Sequence, residues 1–169
     1  EVFQQVLPFL LQGLLTTIGL SLLVIPLGLI GGLAVALLAT QSKSQSMRIL
    51  IAVYVDVFRA LPPLVLLIFI YFGFPFLGID LPKLLAVALG FLMNNAAYYG
   101  EIFRAGLVSV PLGQMEAARS TGLTQRQALA YVVVPQAVRN VLPDLLSNSI
   151  EVVKLTTIAS VVALPELLR

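Results

Sequence analysis

Three short patterns place an acid three residues ahead of a base: Asp56 and Arg59, Glu101 and Arg104, Glu151 and Lys154. Residues three apart share a helix face, so each pair can partly neutralise itself. On insertion scales an unpaired charge at the centre of a bilayer costs about 2.5–3.5 kcal/mol, so such residues face protein or water. One reading makes the pairs structural, tying helices together or reaching for the headgroups; Arg104, near the end of its apolar run, suits the headgroups best. The other reading is a polar solute path. Asn94, Tyr98 and Glu101 fall at i, i+4 and i+7, one stripe of a helix, and Ser147, Glu151 and Lys154 repeat that stripe further on.

Other chemistry is thin. The chain has no cysteine and no histidine, which excludes thiol chemistry, disulfides and the usual zinc sites. No glycine-rich phosphate loop is present, so ATP binding by this chain is not expected. No nucleophile or acid–base pair is arranged for catalysis, and an enzyme is a remote reading. Of the 169 residues, 59% are hydrophobic and 11% charged, which is too little polar surface for a soluble domain of this size and marks an all-α membrane protein. The net charge of +2, with dispersed basic residues, gives no footprint for nucleic acid. The N-terminal Glu1-Val-Phe-Gln-Gln lacks the basic start of a signal peptide.

Four apolar runs are expected to position these residues. The first, roughly Phe9 to Ala39, has no charge between Val2 and Ser42; Pro26 is a candidate kink and Gly28 and Gly32 a packing face. Thr16, Thr17 and Ser21 are expected to bond to backbone or neighbouring helices. The second run, Ile49 to Leu77, should bend or open at Pro62-Pro63, which remove two backbone donors. After a turn at Gly78–Lys83, a third span covers about Leu84–Val108 and a fourth about Val141–Leu164.

Between the last two lies a polar stretch, Ser109 to Pro143. Thr124 with Gln127 fits a capping box, so a helix is expected from Gln125 towards Val134, broken or kinked at Pro135. A preceding helix, Gln114 to Thr121, should stop at Gly122. Lys43, Arg48, Arg119, Arg126 and Arg139 lie towards this side, against Lys83 and Arg169 opposite. That bias puts the polar loop in the cytoplasm and Glu1 outside.

Glu116-Ala117-Ala118 followed by Gly122, flanked by Val110-Pro111-Leu-Gly113-Gln114 and Leu-Pro143, resembles the EAA loop of ATP-binding-cassette (ABC) importer permeases of the polar amino-acid (histidine/glutamine/arginine) branch. Tyr54-Val-Asp56-Val-Phe-Arg59-Ala-Leu-Pro62-Pro63 and Asn94-Asn95-Ala-Ala-Tyr98-Tyr99-Gly-Glu101 are also similar to that family, although Ala60-Leu61 stands where a small residue and threonine are usual, and Leu155 where an acid follows the lysine.

The resemblance implies a single transmembrane domain over 1–169 in the bacterial plasma membrane, a bundle of about four helices where relatives generally have five, with a last C-terminal span missing. It implies a cytoplasmic two-helix coupling loop at about 109–140. Glu116, Ala117, Ala118, Arg119 and Gly122 would dock on a partner ATPase dimer that holds ATP and magnesium, with no cofactor on this chain. An extracytoplasmic solute-binding protein and a second permease subunit, identical or a sister, are the other implied partners.

The solute would be an amino acid. Its ammonium needs an acceptor and its carboxylate needs donors, and Glu151 or Glu101 with Asn94 and Tyr98 supplies both; we favour Glu151 as a solute contact. The rival classes are an ion-gradient-driven transporter using Glu101 and Glu151 and a membrane scaffold without transport.

Overall fold

The computed structural model describes residues 2–79 and 81–163. Glu1, Asp80, Leu164 and Arg169 lie outside the described residues, as do the side chains of Lys83 and Thr157. With no charge to discourage it, the first apolar run forms one helix, α1 (Val2–Gln41), which carries Pro8 and Pro26 without interruption. Among the described residues it is the one helix long and apolar enough to cross a membrane alone.

Ser44 then caps α2 (Gln45–Ala60), its hydroxyl accepting from the Met47 amide. The anticipated bend at the proline pair is a complete break: α3 (Pro63–Phe76) leaves α2 at 101°. Taken together, α2 and α3 also qualify as a membrane span. Gly78, at φ +75°, turns the chain towards α4 (Lys83–Ser109).

At 1.5 Å per residue the 27 residues of α4 and the 22 of α8 (Leu142–Ala163) reach about 40 and 33 Å, enough for the roughly 30 Å hydrocarbon core. Among the described residues α4 does not qualify as a span by composition, because it holds Asn94, Asn95, Glu101 and Arg104. Of the four expected spans, α1 and the α2–α3 pair are apolar enough to qualify among the described residues. In α4 the bundle covers what apolarity does not: Asn94, Asn95 and Tyr99 are all buried.

Two core clusters fix the arrangement. Leu20 and Val24 of α1 pack with Val87 and Phe91 of α4, Leu67 of α3 and Val152 of α8. Ala36 of α1 packs with Tyr99, Phe103 and Leu107 of α4 and Leu145 of α8. Hence α1 and α4 run parallel and α8 antiparallel to both. The parallel pair is very close. A Cβ on Gly32 would come 2.4 Å from Tyr99 Cβ and 2.8 Å from the Gly100 nitrogen, and one on Gly100 would meet Val35 Cγ1 at 2.7 Å. The packing role expected for Gly28 and Gly32 is therefore what these positions do. Thr16 bonds its own helix, donating to Gln12 O at 2.9 Å. Ser21 does not follow the expectation: its buried hydroxyl has no hydrogen-bond partner among the described residues.

The polar stretch is helical nearly throughout. After α5 (Leu112–Ser120) and a turn come α6 (Gln125–Ala128), a π-helical turn over Leu129–Val133, and α7 (Val134–Asn140). The capping box is formed: Thr124 Oγ1 accepts from the Gln127 amide and Gln127 Oε1 accepts from the Thr124 amide. Pro135 does not break the helix. The wide π turn just before it, with the Val134 amide donating to Leu129 O, relieves the clash a proline ring makes in a regular α-helix.

Candidate functional site

On the polar loop, Glu116, Ala117 and Arg119 are exposed on one short helix. Ala118 departs from expectation. It is buried beneath α5, in the loop's own packing, so Ala117 is the one alanine of the pair left open to close approach. Gly122 ends the helix at φ +91° with open space where a Cβ would stand. Its requirement is backbone conformation, not room. Its amide donates to Arg119 O at 3.1 Å, and the Thr121 hydroxyl closes on Ala118 O at 2.7 Å.

The loop is bound to α4 by contacts that no local motif announces. A Cβ on Gly106 would meet Ala137 O at 2.8 Å, so α4 and α7 touch backbone to backbone. Asn140 Nδ2 donates to Ser109 Oγ of α4 at 2.9 Å, and within the loop Gln136 Nε2 of α7 donates to Gln114 Oε1 of α5 at 3.1 Å. These partners are 31 and 22 residues apart, and nothing in their spacing pairs them.

The second candidate region is the break between α2 and α3. In a continuous helix the amides of residues 62 and 63 would bond to the carbonyls of Phe58 and Arg59. Both are proline, so those carbonyls lose their donors. They are recovered from the side: Asn94 Nδ2 donates to Phe58 O at 2.8 Å, and Tyr98 Oη donates to Arg59 O at 3.2 Å. Tyr54 Oη returns the contact by donating to Met93 O at 2.6 Å. The i, i+4 stripe on α4 thus matches the two consecutive freed carbonyls. Asn94 and Tyr98 are committed to α2, near the midpoint of α4. The signal for this was in the sequence, as a proline pair and an Asn–Tyr stripe, and only their matching was hidden.

The three acid–base pairs behave differently. Glu101 and Arg104 close a two-pronged pair, Nε to Oε2 at 2.8 Å and Nη2 to Oε1 at 2.6 Å. Glu151 and Lys154 approach at 3.4 Å on the open face of α8, with side chains 57% and 69% exposed. Asp56 and Arg59, both exposed, form no ion pair with each other among the described residues. The Arg59 guanidinium instead lies 5.6 Å from the centroid of the Tyr98 ring.

The two polar stripes do not meet. Asn94 and Tyr98 face α2, and Ser147 is exposed on α8 with Glu151 and Lys154. The polar link from α4 to α8 is made one residue on from Tyr98 and two on from Ser147, by Tyr99 Oη and Ser149 Oγ at 2.8 Å.

With this geometry in view, the chain's relatives are informative. Residues 25–168 match the family described as the binding-protein-dependent transport system inner membrane component. A probable amino-acid ABC transporter permease of Bacillus subtilis (strain 168) is 36% identical over 162 residues, covering 96% of this chain and 71% of the relative. A probable glutamine ABC transporter permease of the same organism is 39% identical, covering 98% and 76%. An L-cystine transport system permease is 38% identical, covering 99% and 71%. Among solved structures, an amino acid ABC transporter crystallised with histidines superposes with a TM-score of 0.84 at 36% identity, covering 96% of this chain and 75% of that one. A methionine ABC transporter in inward-facing conformations shares the fold, with a TM-score of 0.75 at 21% identity.

The fold and the loop therefore define a membrane-embedded importer component. The chain belongs to the binding-protein-dependent transport system inner membrane component family, the permease subunits of ABC importers. Such a subunit is a transporter component, with ATP hydrolysis on a separate ATPase and solute delivered by a binding protein. Membership displaces the gradient-driven alternative.

Proposed function

We propose that this permease moves polar amino acids across a bacterial plasma membrane, with its N-terminus outside and the loop around Glu116 in the cytoplasm. The observation that carries the reading is the loop itself: an exposed Glu116–Ala117–Arg119 face, ended by the left-handed Gly122 and fastened to α4. The names of the relatives, amino acid, glutamine and cystine, support the solute class.

In this reading Glu116, Ala117 and Arg119 dock on the partner ATPase dimer, which holds ATP and magnesium, while Ala118 and Gly122 shape the docking helix. A second permease subunit completes the path, and an extracytoplasmic binding protein feeds it. Closure of the ATPase dimer pulls the loop and switches the helices between inward- and outward-facing arrangements. The exposed polar residues of the helices, Asp56 and Arg59 on α2 and Ser147, Glu151 and Lys154 on α8, line the path. Asn94, Tyr98 and Glu101, with their donors and charges engaged inside the chain, hold its walls.

The test is ATP hydrolysis by a complex that contains this chain, reconstituted in proteoliposomes. Activity is expected only with both a co-expressed ATPase and a binding protein loaded with an amino acid. Uptake without any ATPase would overturn the reading.

A further inference from the structure

A buried donor without an acceptor is a costly polar group, and α8 has one. Asn148 Nδ2 is shut off from solvent and has no hydrogen-bond partner among the described residues. Its surroundings are two apolar clusters. Leu145 packs with Ala36 and Tyr99 in one, and Val152 packs with Val24 and Phe91 in the other. Asn148 and Ser149 stand between them on the same side of α8, three and four residues beyond Leu145.

In that layer an unused acceptor lies next to the unused donor. Ser149 Oγ gives its proton to Leu145 O, 2.7 Å away within α8. The Tyr99 hydroxyl, 2.8 Å from Ser149 Oγ, is therefore the donor of the bond between them. Its own lone pairs receive no proton among the described residues. At adjacent positions α8 thus carries a hydroxyl that Tyr99 engages and an amide that it leaves idle.

Tyr99 cannot make the exchange itself. It is fully buried, and a Cβ on Gly28 would stand 3.2 Å from its ring, so α1 leaves the ring no slack. The moving part must be α8. Neighbouring residues of a helix are about 100° apart around the axis and 1.5 Å along it, and an asparagine amide reaches farther than a serine hydroxyl. A turn of α8 by less than that angle brings one group in and takes the other out.

We propose that Tyr99 is the fixed half of a two-position latch on α8, engaging Ser149 in the present arrangement and Asn148 in the opposite access state. The inference rests on the alternating-access reading given above and names a bistable element within it. With Ser149 engaged, the phenol proton is served and the amide is left over. With Asn148 engaged, the amide donates to Tyr99 Oη and the phenol proton is left over. Each position serves one donor and strands the other, which keeps the two close in energy and lets nucleotide on the partner ATPase tip the balance.

The test is the ATP concentration at which vanadate traps half of the full complex, with ATPase and binding protein, in proteoliposomes. Asn148→Leu removes a stranded donor from one state and a bond from the other. Ser149→Ala removes the Tyr99 bond from the first state alone, since its link to Leu145 O lies within α8 and is lost equally in both. The two variants should move the half-trapping concentration in opposite directions, each by about threefold or more. In a Tyr99→Phe background both shifts should fall below about 1.5-fold. Asn148→Ala should shift as Asn148→Leu does, and replaces it if leucine blocks assembly.

Shifts in the same direction, or shifts that persist in Tyr99→Phe, would overturn the latch. So would no shift at all, the result expected if a trapped water serves Asn148 in both states. A parent complex that vanadate traps at no ATP concentration would overturn the transport reading, and the latch with it.

Discussion

At Pro62–Pro63 and at Pro135 the chain meets the same chemistry, a backbone carbonyl deprived of its amide donor, in different surroundings. At the first place the freed carbonyls of Phe58 and Arg59 lie beside the middle of α4, and the helix breaks through 101°. At the second, Pro135 deprives Tyr131, whose residue is 71% exposed on the loop, and the helix continues through a π turn. Water can serve a carbonyl on an exposed loop. Within a bundle the donors must come from another helix, and α4 supplies them. A proline pair can therefore become a sharp corner in the membrane where a neighbour caps the corner. A proline on the surface need do no more than widen one turn.

The largest test of this contrast removes the caps. Asn94→Leu combined with Tyr98→Phe leaves two carbonyls unpaired at mid-bundle, each at about 1–3 kcal/mol. The detergent-solubilised complex should show a clear drop in thermal midpoint. That drop should shrink in a Pro62→Ala background, where a restored amide reaches Phe58 O. Fully additive losses would break the comparison, because they would mean the side chains cap nothing that the proline freed.

A smaller effect is expected at Gly122, where the demand is conformational and local. At φ +91° a side chain costs about 1–2 kcal/mol. Gly122→Leu should lower uptake per ATP hydrolysed several-fold with normal membrane insertion, and Gly122→Asn should do less harm, since asparagine tolerates this region. Equal coupling in all three at equal subunit levels would remove the loop from the mechanism.

On α8 the exposed Glu151–Lys154 pair should contribute under about 1 kcal/mol to stability. If Glu151 lines the solute path, Glu151→Gln lowers uptake and the double variant with Lys154→Met does not recover it. Restored uptake in the double variant would reduce the pair to mutual neutralisation. The smallest effect belongs to Pro135→Ala, which returns a donor to the carbonyl of a residue exposed on the loop. Its thermal midpoint should match the parent's, within about 0.5 kcal/mol of stability. A large loss there would show that the π turn, too, depends on its proline.

The same contrast explains what could be read from the sequence. The break at Pro62–Pro63, the Thr124–Gln127 box and the left-handed Gly122 are consequences of covalent chemistry within a few residues, and they were legible. Asn94 and Tyr98 were legible as one stripe, but their partners lie 36 and 39 residues away, and a stripe does not say what it faces. The inward turn of Ala118 and the ties from Ser109 to Asn140 and Gln114 to Gln136 depend on how α5 and α7 dock, which no local period encodes. At Pro135 a break or kink is expected from the sequence, and the helix continues through a π turn instead of breaking, because a helix has more than one way to accommodate proline. The choice lies with what surrounds it.

The contact of Gly32 with Tyr99 and Gly100 bears on how force crosses the molecule. Two parallel helices this close leave no compressible layer of side chains between them, and close-packed protein yields little under load. They act as one strut of double thickness. The loop is pinned to one end of that strut through Gly106 and Asn140, so a tug on the loop arrives at the other end with little lost to bending. The give in the machine is left to the elements outside the strut, and the corner between α2 and α3 is the natural place for it.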